Sequence, residues 1–398
     1  MKRYLIAVLI SALVLPFSAG AQWYLFPGGR PAKDSTSVNV KTDSTAVSPV
    51  ATDRDAADST ALTFSDSVAV VPVIRAALIL PLKSTGTPNS NFLDFYCGAL
   101  LAADELSSEG RKFQLDVYDS TVQLPYSYQL DSCNLIIGPV APEDVERMLP
   151  RARGKYMVSP LDPKVAPYTE LYNIVQAPSN WESQVDALID WLAEDLCDGD
   201  VVVLLQSAEE ADGEVTSRLT GRMSDREISY SITSSPTVQE EILDGNYRFV
   251  IASESDDFCS AAVREIALMN LRGGHNFVYS ISRLRGVPDL EVESLHAAGA
   301  RITASYFADA GNIEVRNFAE HYRKLFKAEP GQWAFQGYDL MTYFGRLAAD
   351  YPDSWQEKLA ETPWNGLQTD FRFDTAGKIN SAVRRLQYNA NNTITIVR

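Results

Sequence analysis

From Val73 onward, short runs of branched apolar residues alternate with longer amphipathic stretches. "VIRAALILPL", starting at Val73, has the composition of a strand buried on both faces. Phe92, Phe95, Tyr96, Ala99, Leu100, Ala103 and Leu106 then recur at helical spacing. Asn89, Ser90 or Asn91 can cap that helix, and Gly110 lies just past its end. "KFQLDVYDS" alternates as a second strand, "CNLIIGPV" reads as a third, "EDVERMLPRA" as a short helix and "KYMVSPL" as a fourth strand. The order is β-α-β-β-α-β. Between strands two and three, "TVQLPYSYQLDS" is barely long enough for a parallel crossover, so the usual helix there is nearly gone.

The alternation continues after "YNIVQAPSNWESQ" with a helix over Trp181–Leu196, then "DVVVLLQS", a helix near Gly213–Met223, "ISYSIT", a short helical stretch near Val238 and "YRFVIAS". A helix over Asp257–Leu271, "NFVYSIS", "ARITASYF" and helices over Val315–Phe326 and Gln336–Ala349 follow. The pattern predicts an α/β protein with two doubly wound parallel sheets, whose strand-to-helix loops gather at the carboxyl edges where open α/β sheets take ligands.

The first 72 residues differ in character. Lys2 and Arg3, an apolar run from Leu5 to Phe17 and Ala19-Gly20-Ala21 read as a signal peptide cleaved before Gln22, with no cysteine for lipid attachment. The run is too short for a permanent span, which needs about 20 residues. Location in the periplasm or outside the cell is therefore expected. Residues 22–72 are rich in Ser, Thr, Asp, Ala and Val, the composition of a flexible tether. Asp-Ser-Thr recurs at 34–36, 43–45 and 58–60, either as simple low complexity or as sites resembling O-glycosylation acceptors of some Gram-negative bacteria.

Charge narrows the function classes. The net charge is −17, and loss of residues 1–21 removes two positive charges and no negative one, giving −19. Such a surface repels nucleic acid and anionic lipid. Cys97, Cys133, Cys197 and Cys259 lack metal or redox spacing, and His275, His296 and His321 form no metal pair. No phosphate-binding glycine loop and no GxSxG occurs. "EDLCDGD" lacks the spacing of a calcium loop and reads as a solvated helix end. His296 reads as a surface or hinge residue, and Cys97 has no evident histidine partner for nucleophilic chemistry. No cofactor, metal or enzymatic activity is expected.

Several segments in order resemble type 1 periplasmic-binding proteins, the group that includes branched-chain amino-acid receptors of ABC transporters. They are "FLDFYCGALLAADELSSEG", "LIIGPV", "YMVSPLDP", "FAEHYRKLFKAEPGQWAFQGYDL" and "WNGLQTDFRFDTAGKIN". The resemblance implies two lobes joined by three crossings, near Gln176–Ser179, Ala300–Phe307 and Gln368–Asp374. Lobe one would hold residues 73–176 and 307–368, and lobe two 180–300 with the C-terminal tail. A small polar ligand would sit between them, with Ser84, Thr85, Val140, Ser159, Asp162, Gln206, Ser282, Arg283 and Tyr338 as its contacts. Helix and strand placement in the two lobes predicts no Cys97–Cys133 or Cys197–Cys259 disulfide.

The chain departs from the amino-acid receptors at two places. Ala141-Pro142 and Leu161-Asp162-Pro163 stand where those receptors usually offer hydroxyls to a carboxylate, and Ser280, Ser282 and Arg283 stand where an acid would hold an ammonium. Asp162 facing Arg283 would instead bridge the lobes. The reading is a non-catalytic receptor outside the cytoplasm, with a membrane permease as one partner. The alternative is an envelope scaffold or regulator whose partner is a cell-wall synthase.

Overall fold

The computed structural model describes residues 73–207, 213–234, 246–375 and 377–397. The signal peptide, tether, glycosylation triplets and helical stretch near Val238 lie outside them. In chain order the elements are β1 Val73–Leu80, α1 Ser90–Ser108, β2 Lys112–Asp119, α2 Ser127–Leu130, β3 Leu135–Ile137, α3 Pro142–Ala152, β4 Met157–Ser159, α4 Ala166–Leu171 and β5 Ile174–Gln176. Then come α5 Trp181–Asp195, β6 Val201–Leu205, α6 Glu214–Asp225, β7 Tyr230–Thr233, β8 Tyr247–Ile251, α7 Asp256–Leu271, β9 Phe277–Ile281, α8 Val292–Ala297 and β10 Arg301–Ala304. α9 Ile313–Phe326, α10 Gln332–Asp350, β11 Trp364–Asn365, β12 Asp370–Phe371, β13 Arg384–Tyr388 and β14 Ile394–Val397 complete the chain.

The first large sheet is wholly parallel, in the order β2-β1-β3-β4-β5. On one face Ile74, Ala76, Leu78 and Leu80 of β1 pack with Phe95, Ala99, Leu340, Phe344 and Leu347 from α1 and α10. On the other, Ala77 and Ile79 meet Leu124, Leu130, Val145 and Met148. The alternation of β2 follows directly. Phe113, Leu115 and Val117 join the helical face, while Gln114 and Asp116 lie half-buried on the opposite face, where Asp116 pairs with Arg75 at 3.1 Å.

The second large sheet has the order β14-β13-β10-β9-β8-β6-β7. Its strands from β10 to β7 are parallel, and β13 and β14 add an antiparallel hairpin. The C-terminal tail thus joins the second sheet as two antiparallel strands that the sequence pattern did not predict. "RRLQY" and "ITIV" alternate around an Asn-rich turn in which Asn392 takes φ 60°, a conformation Asn tolerates.

Two local expectations change with the tertiary structure. His296 is buried, packs on the Tyr388 ring with centroids 5.1 Å apart, and holds Nδ1 2.8 Å from the Asn389 carbonyl oxygen. "EDLCDGD" is an ion-pair cluster rather than a solvated end. The Asp200 carboxylate lies 2.9 Å from buried Arg248, Asp195 2.8 Å from Arg301, and Glu194 pairs with Arg385. The Arg301 guanidinium also sits over the Phe277 ring, 4.4 Å from its centroid.

Cys97, Cys133 and Cys259 are buried free thiols and Cys197 an exposed one. Among the described residues no group of His, Cys, Asp and Glu could hold a metal, and no helix is long and apolar enough to cross a membrane.

Candidate functional site

The chain passes between the two sheets three times: after β5, after β10 and between β12 and β13. Side chains stitch these crossings together. Ser305 Oγ accepts from Ser179 Oγ at 2.7 Å and from Gln184 Nε2 at 3.1 Å, and donates to the Ser179 carbonyl at 3.1 Å, so the buried hydroxyl is fully used. Asn380 Nδ2 donates to the carbonyls of Ala177 and Asp370, both at 2.8 Å. Arg384 donates to the carbonyls of Phe307, Leu367 and Gly366 and pairs with Asp370 at 2.6 Å. Asp339, fully buried on α10, accepts the backbone N–H groups of Leu367, Gln368 and Thr369, each at 2.8 Å. Burial drives the Asp339 carboxyl up to about 7 against these donors.

Sequence reasoning missed Asn380, Arg384 and Asp339. One signal existed: Asp339 is an acid on the apolar side of an otherwise core-facing helix.

The carboxyl edge of the first sheet is a wall of loops that carries the candidate residues of lobe one. Its loop after β1 is anchored from below by Asp119, at the end of β2. The Asp119 carboxylate accepts Leu82 N–H at 3.1 Å, Ser84 N–H at 2.7 Å, Ser84 Oγ at 2.6 Å, and Thr121 N–H and Oγ1 at 3.0 and 2.7 Å. Burial works to raise this carboxyl, but the Ser84 and Thr121 hydrogen bonds outweigh it and hold it down at about 2. The Ser84 hydroxyl is therefore committed to the loop, and Thr85 is left at its exposed tip.

After β3, Gly138 takes φ +96°, and a Cβ there would meet the Ile79 carbonyl oxygen at 2.1 Å. Only glycine fits this turn, which presents half-buried Val140. Ser159 ends β4, is 2% exposed, and its Oγ has no protein partner. Asp162 accepts Lys164 N–H at 2.9 Å and caps the turn that follows. Tyr338 points elsewhere: its hydroxyl donates to Glu105 of α1 at 2.5 Å.

The carboxyl edge of the second sheet is a wall of loops that carries the candidate residues of lobe two. Gln206 follows β6, is 8% exposed and keeps Oε1 without a protein partner. Ser282 N–H donates to Gln184 Oε1 at 3.0 Å, tying this wall to the crossings. A cavity of about 20 Å³, room for one water, lies among Ser253, Glu254, Cys259, Ser280 and Arg283. Arg283 Nη1 pairs with Asp256 at 2.9 Å and Nη2 donates to the Glu254 carbonyl.

Asp162 and Arg283 therefore do not form the expected interlobe pair, because each is satisfied within its own lobe. Two further polar atoms, Glu182 Oε2 at the start of α5 and Tyr306 Oη in the second crossing, have no protein partner. Burial raises the Tyr306 hydroxyl, which stays protonated as a donor. Burial also pushes the Cys97 thiol up to about 12, so it is no nucleophile at neutral pH.

No family model and no curated protein matches the chain. Solved structures do. A putative branched-chain amino acid ABC transporter protein from Rhodospirillum rubrum superposes with a TM-score of 0.59 at 14% identity, over 82% of this chain and 100% of that one. An ABC transporter substrate-binding protein from Desulfitobacterium hafniense, in complex with Leu, gives 0.48 at 16% identity over 82% and 100%. A solute-binding protein of an ABC transporter from Rhodopseudomonas palustris, in complex with 3,4-dihydroxybenzoic acid, gives 0.47 at 16% identity over 81% and 96%. Two parallel-sheet lobes, three crossings and the superposition on the Rhodospirillum structure together show that this chain has the type 1 periplasmic-binding fold.

Proposed function

We propose that the protein is a non-catalytic receptor outside the cytoplasm that binds a small, neutral, polar molecule between its lobes. The observation that carries this reading is the pair of buried, unpartnered polar atoms at the two carboxyl edges, Ser159 Oγ and Gln206 Oε1. A buried polar group without a partner costs about 1–3 kcal/mol, which a hydrogen-bonding ligand recovers. Glu182 Oε2 and Tyr306 Oη add an acceptor and a donor beside the crossings. A free amino acid suits this set poorly. Arg283 is already matched by Asp256, and Asp162 stands on the wall where a carboxylate would lie. Hydroxyls and amides of a sugar, polyol or small peptide amide fit it better.

The test is a thermal-shift screen of sugars, polyols, amides, aromatic acids and amino acids on the purified chain, followed by calorimetry. Neutral compounds should stabilise the protein. Ser159→Ala and Gln206→Ala should each weaken the best ligand about tenfold, the loss of one hydrogen bond to a buried group, and Ser159→Ala should not lower the Tm of the ligand-free chain, because it removes an unpaired hydroxyl. Binding of amino acids alone, or affinity indifferent to both substitutions, overturns the reading.

A second reading, an envelope scaffold acting on a partner such as a cell-wall synthase, draws on the crossings. Arg384, Asn380 and Asp339 tie all three together, an arrangement suited to a fixed body. On that reading no small molecule in the screen shifts Tm. A membrane permease is the partner expected on the first reading.

A further inference from the structure

β2 is an outermost strand of the first sheet and the longest edge strand of the two large sheets, with eight residues against three in β5 and four each in β7 and β14. It runs in unbroken register with β1 from Val73↔Lys112 to Leu80↔Asp119, without bulge or proline. The segment that follows it crosses toward β3 over the far face of β1, where Leu124 and Leu130 pack. Among the described residues no strand pairs with the outer edge of β2, and on its second face only Tyr118 joins the cluster of Leu124 and Leu130. Beside that face Tyr126 and Tyr128 stack with centroids 5.7 Å apart, at 50% and 69% exposure. Folded proteins normally blunt a long flat edge with bulges, prolines, repeated lysines or a covering element. Lys112 is the only such device on this one.

We propose that β2 pairs antiparallel with β2 of a second copy of this chain across a two-fold axis, joining the two first sheets into one. The charge order of the strand selects this occupant. Arg111 and Lys112 lie at its amino end, Asp116 and Asp119 toward its carboxyl end. Antiparallel self-pairing sets each basic end beside an acidic one, whereas parallel pairing would oppose like charges.

Symmetry then fixes the register. A two-fold axis normal to the sheet keeps each side chain on its own face, so opposed residues share parity. With Leu115 on the axis, Phe113 faces Val117, Gln114 faces Asp116 and Arg111 faces Asp119. The apolar residues of both copies then form one continuous face beside the α1 helices. Gln114 Nε2 already donates to Asp116 at 3.1 Å within its own strand, and directly opposite it the same amide meets the other copy's carboxylate. Shifting the centre to Asp116 would oppose two carboxylates on the axis.

Sedimentation velocity on the full chain over a dilution series tests this. The expected result is a concentration-dependent dimer. Gln114→Asp opposes carboxylates at two symmetry-related places and should weaken that dimer about tenfold, while Gln114→Lys should leave it as tight or tighter. Circular dichroism should stay unchanged in both variants, since Gln114 lies on the face of β2 away from the α1 core. A monomer at every concentration overturns the proposal. So does a dimer indifferent to both substitutions, which would use another surface. So does an extended peptide of another protein that takes this edge in preference to a second copy. None of these outcomes depends on whether a ligand enters the cleft.

Discussion

Asp119 and Asp339 are both aspartates among backbone N–H donors, and burial works to raise both, yet their acidities move in opposite directions because the hydrogen bonds win at Asp119 and burial wins at Asp339. Asp119 sits at the surface end of β2 and is held down at about 2, whereas Asp339 sits in the core and is raised to about 7. The consequences for stability have opposite sign. Asp119, titrating below its unfolded value of about 3.9, contributes stability above that value and loses it as pH falls toward 2. Asp339 is protonated in the folded chain where the unfolded chain has already ionised. Its contribution therefore falls between about pH 4 and 7, by roughly 4 kcal/mol in total. Asp339→Asn should flatten the denaturant midpoint across that window, measured by urea unfolding at intervals of pH. An unchanged slope would show that the carboxyl stays ionised throughout. Asp119→Ala should free the loop from Leu82 to Asn89, seen as faster amide exchange at Ser84, with a loss of about 1–3 kcal/mol.

At the level of elements, much could be read from the sequence because the strands of a doubly wound sheet are continuous apolar runs and their helices are amphipathic. β1, α1 and the shortened crossover after β2 follow from residue type and spacing alone. The bonds that tie the three crossings did not follow, for a physical reason. Arg384 and Asn380 find their partners on segments distant in sequence, and a polar residue in a loop carries no mark of which carbonyl it will meet. The same holds for "EDLCDGD": its four acids at a helix end look solvated until Arg248, Arg301 and Arg385 arrive from other strands to pair with Asp200, Asp195 and Glu194. The candidate ligand residues divided along this line. Ser84, Asp162, Arg283 and Tyr338 bond within their own lobes, while Ser159 and Gln206 keep an atom free. Asp200→Ala leaves the buried Arg248 guanidinium without its carboxylate and should cost about 3–5 kcal/mol. Chemical denaturation checks this, and a loss under 1 kcal/mol would mean that Arg248 finds water instead.

For the whole molecule, the question is whether two lobes so firmly joined still move. Ligand-driven closure requires the crossings to twist, and Arg384 grips three carbonyls and a carboxylate across them. Arg384→Lys keeps the charge but loses the planar fork. Small-angle scattering should then show a broader spread of interlobe distances than in the unaltered chain. An identical profile would assign rigidity to Ser305 and Asn380 instead.

The C-terminal hairpin has a consequence for any shortened form. β14 is the outermost strand against β13, and Asn389 in the connecting turn supplies the acceptor for His296. A chain ending at Tyr388 would strip the buried His296 imidazole of its hydrogen bond to the Asn389 carbonyl and bare a fresh strand rim, turning a tidy margin of the second lobe into an adhesive one.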